Sequence, residues 1–357
     1  MPRPKDARPH VVHVFNTLNS GGLQRVVLML SGWLTEHGYQ VSLVSADGPL
    51  RDQIPRNVRW SEKNTKLSIL SEVIQLLGIV RTERPIALHA HQRHDALVCH
   101  IVGKITSTPV VEHAHNTLPN VGVKQLSFRS SRIFAVSGEV KRMVTDVYKR
   151  PAAAVTVVGG VPFHTSAEPS AELSASPNPP FRVLGIGRLE EQKDPERFVR
   201  VVAAARQLVD VEAVWLGTGS HLTQARELAS RLNSPVTFLG ESNDVVGELD
   251  RSDALLMTSK WEGLGLVVLE AFARKRPVIG PRTGGMGELL GEGRGIAVEP
   301  EETDESFGAE LASLLQDRAR SRALAEKAFA YTQEHATEDA VFGPVLAEYT
   351  RYTRGSV

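Results

Sequence analysis

The feature that most constrains this chain is an alternation of short β-rich runs with longer helical stretches, repeated down both of its halves. In the first half, residues 11–15, 41–45, 86–91, 110–115, 132–136 and 155–158 read as strands. Residues 23–36 and 70–81 read as helices, and another runs through Tyr148. In the second half, 181–187, 213–216, 236–239, 254–257 and 277–280 read as strands with helical segments between them. Residues 305–335 carry one helical pattern, and 338–354 a last helix. Such alternation predicts α/β architecture, with parallel sheets covered by helices on both faces. A length of 357 residues suits two such domains. We therefore expect Rossmann-like, doubly wound domains over 1–165 and 181–335. A linker over 166–180, rich in Pro, Ser and Ala, joins them. The final segment, 336–357, is left free to return to the first domain.

Charge and cysteine usage narrow the function classes. The formal net charge is zero, which gives no case for nucleic acid as a partner. One cysteine, Cys99, excludes an intrachain disulfide and fits a reducing compartment. Residues 1–10 are polar and lack a signal-peptide core, and no apolar run reaches transmembrane length. A cytoplasmic protein is the expectation. Peripheral membrane contact stays open through the basic residues Lys124, Arg129 and Arg132, although a solvated face accounts for them better.

The chemistry concentrates between Glu262 and Glu270. The strand at 254–257 precedes Glu262, and a helix over 267–275 carries Glu270 in its early turns. Glu262 then lies on a loop at the sheet's C-terminal edge, where open α/β sheets bind ligands. Two acceptor-only side chains there can grip the hydroxyls of a sugar and a ribose. The plainer alternative makes Glu262 a solvated loop residue and Glu270 a helix-dipole partner. Arg188 and Lys193 follow the first strand of the second half, beside the helix opened by Asp194 and Pro195. A planar guanidinium and a point-charge ammonium make a diphosphate clamp; otherwise they are ordinary surface cations. Gly21 and Gly22 open the first helix and can bring backbone N–H groups close to an anion.

Two further patterns are weighed and set lower. Gly217-Thr218-Gly219, followed by Glu241, imitates a dinucleotide fingerprint, but Leu222 replaces its third glycine. Histidines gather at His89, His91, His94 and His100 and again at His113 and His115. Each His-Ala-His triplet puts both rings on one strand face, so His89, His91, His113 and His115 can converge if their strands are neighbours. That offers a metal-dependent hydrolase as the alternative enzyme. Ordinary hydrogen-bonded rings are the plain reading. Neither an Asp-x-Asp pair nor a P-loop run occurs, which speaks against a metal-bridged sugar nucleotide and a P-loop phosphotransferase.

In this order, the pieces resemble the family-four retaining glycosyltransferases of the GT-B fold. The resemblance spans most of the chain and is strongest over 183–300. Its residues are Gly21, Gly22 and Arg25, the run from Pro109 to His115, Ser137, Gly187-Arg188, Lys193 and Gly217-Thr218-Gly219. Leu239-Gly240, the Glu262-to-Glu270 motif, Pro277-Val278-Ile279 and Gly284-Gly285 complete it. The resemblance implies two domains facing a cleft. It implies transfer of a sugar, expected to be a hexose, from a nucleotide-diphosphate donor to a hydroxyl acceptor. No metal and no cofactor are implied beyond the donor itself. Glu270 would hold the ribose, while Arg188 and Lys193 would neutralise the diphosphate. Glu262 and the backbone of Gly263, Leu264, Gly265 and Leu266 would contact the donor sugar. Gly22 would approach the diphosphate from the opposite domain, and His115 would lie beside the transferred sugar. The stretch 240–246, with Val245, would border the base. Leu264 stands where phenylalanine is frequent, Gln24 where glutamate is, and Gly159 where asparagine is. A sugar-nucleotide-binding protein without turnover is the non-enzymatic alternative.

Overall fold

The computed structural model describes residues 8–63, 68–117, 127–163, 179–242 and 244–353. It divides into two compact units: Met1–Val161 with Glu338–Val357, and Pro162–Thr337. The fold is that of two Rossmann-like parallel sheets. Most of the expected linker, and Lys124, lie outside the described residues.

The first unit is built on seven strands: β1 (His10–Thr17), β2 (Gln40–Ala46), β3 (Arg59–Glu62), β4 (Ala87–Ala90), β5 (Val110–Ala114), β6 (Arg132–Ala135) and β7 (Val155–Val157). They order as β3-β2-β1-β4-β5-β6-β7, all in parallel. The central strands are buried on both faces, so β1 reads as a nearly unbroken apolar run rather than an alternation. Helices α1 (Gly22–Glu36), α2 (Ile69–Glu83), α3 (Arg93–Thr106) and the short α4 (Gly138–Arg142) are the crossovers. Val73, Leu76 and Val80 of α2 pack with Ala96, Cys99 and Val102 of α3 against Val12, Val14 and Leu88.

The second unit repeats the plan with β8 (Phe181–Ile186), β9 (Val211–Leu216), β10 (Val236–Gly240), β11 (Ala254–Leu256), β12 (Val278–Pro281) and β13 (Ile296–Val298), ordered β10-β9-β8-β11-β12-β13. Its helices are α5 (Pro195–Ala205), α6 (Leu222–Arg231), α7 (Val245–Asp250), α8 (Leu266–Ala273), α9 (Gly284–Leu290), α10 (Asp304–Gln316) and α11 (Arg318–His335). Phe198, Val201 and Val202 of α5 meet Phe307 and Leu311 of α10 over Val183 and Trp215. In both sheets the strand order reverses beside the unit's first strand, between β1 and β4 and between β8 and β11. Those are the switch points at which such sheets hold ligands.

The structure departs from the sequence reading in two respects. The helical pattern over 305–335 is two helices, because Asp317 leaves the helical region (φ −89°, ψ 85°). Its side chain then accepts from the backbone N–H of Arg320 and caps α11. Elements β3, β13 and α3 stand where no element was read. Strand β3 is a polar edge and β13 spans three residues, so neither carries much periodicity. Helix α3 buries Asp95, Ala96, Val98, Cys99, Val102 and Gly103, a helical stripe that the sequence did hold. The last helix, α12 (Glu338–Thr353), belongs to the first unit. Its Val341, Phe342, Val345 and Tyr349 are buried, and Asp339 accepts from Trp33 Nε1 at 3.0 Å. No helix among the described residues is long and apolar enough to cross a membrane.

Candidate active site

At the second unit's switch point, the loops after β8 and β11 are fastened to each other. Lys260 donates its backbone N–H to the Gln192 carbonyl (2.8 Å), and Gln192 Nε2 donates to the Trp261 carbonyl (3.0 Å). The Thr258 hydroxyl donates to the carbonyls of Lys193 (2.9 Å) and Asp194 (3.0 Å). Across this seam Lys193 Nζ forms an ion pair with Glu262 Oε1. Glu262 is only 6% exposed, so the pair is largely withdrawn from solvent. Arg188, one residue beyond Gly187, is exposed.

Backbone geometry shows why these residues can meet. Gly187 has φ +152°, and a Cβ there would sit 2.9 Å from Lys193 Cε, so its absence makes room for the lysine stem. Asp194 then caps α5, accepting from Arg197 N–H at 3.1 Å, with Pro195 in the first turn. Gly284, the first residue of α9, has φ +52°, and a Cβ on it would fall 1.8 Å from the Glu262 carbonyl oxygen. Gly263, Leu264 and Gly265 are buried beside this contact, and Gly265 is the N-cap of α8. Leu266 opens α8, and Glu270 lies buried one turn further along. The geometry brings Lys193 and Glu262 together and places Arg188, the 263–266 loop and Glu270 on the same pair of β–α connections. Val245 opens α7 after β10, two strands away from β8.

The Gly217-Thr218-Gly219 run has a structural task. A Cβ on Gly217 would lie 2.1 Å from the Gly187 carbonyl, and one on Gly219 would lie 2.3 Å from the Leu189 carbonyl. These glycines let the loop after β9 press on the Arg188 loop, and Leu222, at the place of the third glycine, packs against the second unit's core.

In the first unit, Gly21 caps α1 and Gly22 begins it. Gly21 is extended (φ −176°), so no left-handed backbone demands glycine there. His115 follows β5 at the sheet's C-terminal edge. It belongs to a larger cluster than expected, because His13 of β1 lies in register with His89 of β4. His13 Nδ1 meets His91 Nε2 at 2.9 Å, and His91 Nδ1 meets His115 Nε2 at 3.0 Å. His89 Nδ1 meets the Tyr349 hydroxyl at 2.5 Å, and His113 stacks on His115 at 4.0 Å between centroids. Burial holds His13 and His115 down to about 3. Burial, then neighbouring rings, holds His89, His91 and His113 well below the usual histidine value. His94 and His100 leave the cluster on α3, for Glu72 and Glu112 respectively. His13 was not singled out in the sequence, although its spacing within β1 puts it on the same strand face as Val11 and Phe15.

Two family models match the chain: "Glycosyl transferases group 1" over residues 168–331, and "Glycosyltransferase Family 4" over residues 20–160. Among curated proteins, the chain is 22% identical to UDP-Gal:alpha-D-GlcNAc-diphosphoundecaprenol alpha-1,3-galactosyltransferase of Escherichia coli. That match covers 81% of this chain and 83% of the relative. It is 30% identical to N-acetyl-alpha-D-glucosaminyl L-malate synthase of Bacillus anthracis, over 41% of this chain and 39% of that one. Among solved structures, a glycosyltransferase from Rickettsia africae superposes with a TM-score of 0.83 at 20% identity, covering 98% of this chain and 100% of the other. Anabaena HepE in complex with UDP and glucose gives 0.80 at 19% identity, covering 96% and 99%.

Proposed function

The chain belongs to the family-four glycosyltransferases of the GT-B fold, and from that premise we propose that it moves a sugar from a nucleotide-diphosphate donor to a hydroxyl acceptor. In this reading the anomeric configuration is retained and no divalent ion takes part at the donor. The observation that carries it is the Lys193–Glu262 pair, joining the two switch-point loops beside the exposed Arg188.

As the glycosidic bond to the donor breaks, negative charge gathers on the departing diphosphate. The exposed Arg188 and Lys193, which rests in its ion pair with Glu262, supply the positive charge that stabilises it. Glu262 accepts from hydroxyls of the donor sugar and Glu270 from those of the ribose, while the backbone of 263–266 shapes the sugar site. Retention is met by attack from the face the diphosphate leaves, with a leaving-phosphate oxygen taking the acceptor's proton. No protein nucleophile is then needed. In the first unit, the Gly22 backbone N–H follows β1 and the His115 ring follows β5, both at the C-terminal edge of the one sheet. We assign them to the diphosphate and the transferred sugar respectively.

The Escherichia coli relative is named for UDP-galactose, and the Anabaena neighbour holds UDP and glucose. A UDP-hexose is therefore the first donor to try, with a glycan or glycolipid hydroxyl as acceptor. A thermal-shift panel of UDP, GDP and ADP identifies the base, because a ligand of the native state raises its stability by mass action. Transfer with the matching sugar nucleotide should then persist in excess EDTA. Failure of every nucleotide diphosphate to raise the melting temperature would overturn the reading, and loss of transfer in EDTA would overturn its metal independence.

A further inference from the structure

The five clustered rings of the first unit are more than His115 alone requires. We infer that His91, His113 and His115 form a binding site for one late first-row divalent cation of the zinc class. One ligand nitrogen from each ring lies within 4.8 Å of the other two. Zinc holds imidazole nitrogens at roughly 2.0–2.1 Å, which sets two tetrahedral ligands about 3.3 Å apart. The 3.0 Å between His91 Nδ1 and His115 Nε2 is close to that spacing. Both nitrogens of His113 are buried and have no hydrogen-bond partner, an arrangement that costs stability unless something binds them.

The surroundings fit the same assignment. His91 turns its other nitrogen to His13 Nδ1 at 2.9 Å, an outer partner of the sort that fixes the tautomer and aim of a ligating ring. The donor set is imidazole alone, which suits zinc, cobalt, nickel or copper and disfavours the oxygen-seeking magnesium and calcium. The inner trio His13, His89 and His91 is equally close, and its His13 and His89 Nε2 atoms are also unpartnered, but all three rings are buried and none reaches the sheet edge as His115 does. The two trios share His91, so we assign one ion. The half-buried His115 gives it a route from the sheet edge and leaves a fourth position for water or an anion. A consequence rests on the transfer reading above: a bound ion occupies His115 Nε2, so zinc inhibits transfer and a chelator restores it.

The test reads binding without turnover, so it stands or falls apart from the transfer reading. The full chain, stripped with EDTA and dialysed, is titrated with Co2+ in the visible range and with Zn2+ by calorimetry. One equivalent should bind, and X-ray absorption of the zinc-loaded chain should count three imidazoles. His113→Ala and His115→Ala, checked for folding by circular dichroism, should each weaken binding about tenfold or more. His100→Ala, outside the cluster, should bind as the parent does. Absence of saturable binding, fewer than three imidazoles on zinc, or parental affinity in either folded variant would overturn the site.

Discussion

At the scale of single residues, Lys193 and Arg188 separate stability from function. Lys193 is paired with the buried Glu262, so Lys193→Ala removes the ammonium that balances a buried carboxylate and should cost roughly 3 kcal/mol of stability. It should also lower donor turnover by ~100-fold or more, the scale for removing one preorganised group that stabilises developing charge. Arg188 is exposed, so Arg188→Ala should leave the urea midpoint within about 0.5 kcal/mol of the parent while still impairing transfer. A parental rate in the folded Arg188 variant would remove it from the donor site. The histidine cluster has its own signature, best read in EDTA. His13 and His115 stay neutral in the folded protein down to about pH 3 and titrate near 6.5 once unfolded, so the unfolded chain binds more protons between those values, and burial of His89, His91 and His113 acts in the same direction. Their contribution to stability is complete above pH 6.5 and is lost as the pH falls through that window. The slope should reach about 1.4 kcal/mol per pH unit for each ring. A melting temperature equal at pH 7.5 and pH 5 would contradict it.

At the scale of elements, the short caps and glycines do the positioning. Asp194 combines φ +47° with an N-cap bond to Arg197 N–H, directly after Lys193. Asp194→Ala should therefore lose about 1–2 kcal/mol, while Asp194→Asn, which tolerates the backbone and still caps, should stay near the parent in thermal melts. Most of the strand and helix content was legible because parallel strands leave dense apolar runs and their crossover helices leave a 3.6-residue stripe. The break at Asp317 was not, since residues on both sides are good helix formers and only the capping geometry reveals it. The places of Arg188, Lys193, Glu262 and Glu270 on the connections after β8 and β11 were legible from the sequence. The mutual pairing of Lys193 with Glu262 was not, because it depends on β8 and β11 being neighbours although about seventy residues separate the partners. His13 escaped for the same reason: its role appears only once β1 is seen to lie against β4.

At the scale of the whole molecule, the chain ends in the unit where it began. The α12 side chains Phe342, Val345 and Tyr349 are almost fully buried, and Tyr349 satisfies His89 Nδ1. Ending the chain at Thr337 should therefore unfold the first unit while the second keeps its cooperative melt, as read by limited proteolysis and calorimetry. Protease resistance of the first unit in the truncated chain would show that α12 is dispensable. The same return has a consequence for biosynthesis. As the polypeptide leaves the ribosome, the first sheet is made before the second unit, yet the helix that covers its histidine strands is made after it. Those strands must wait, with apolar surface uncovered, through the synthesis of an entire second unit that can reach its native state first. Chaperone protection during synthesis is thus needed over the histidine strands for as long as that unit takes to appear.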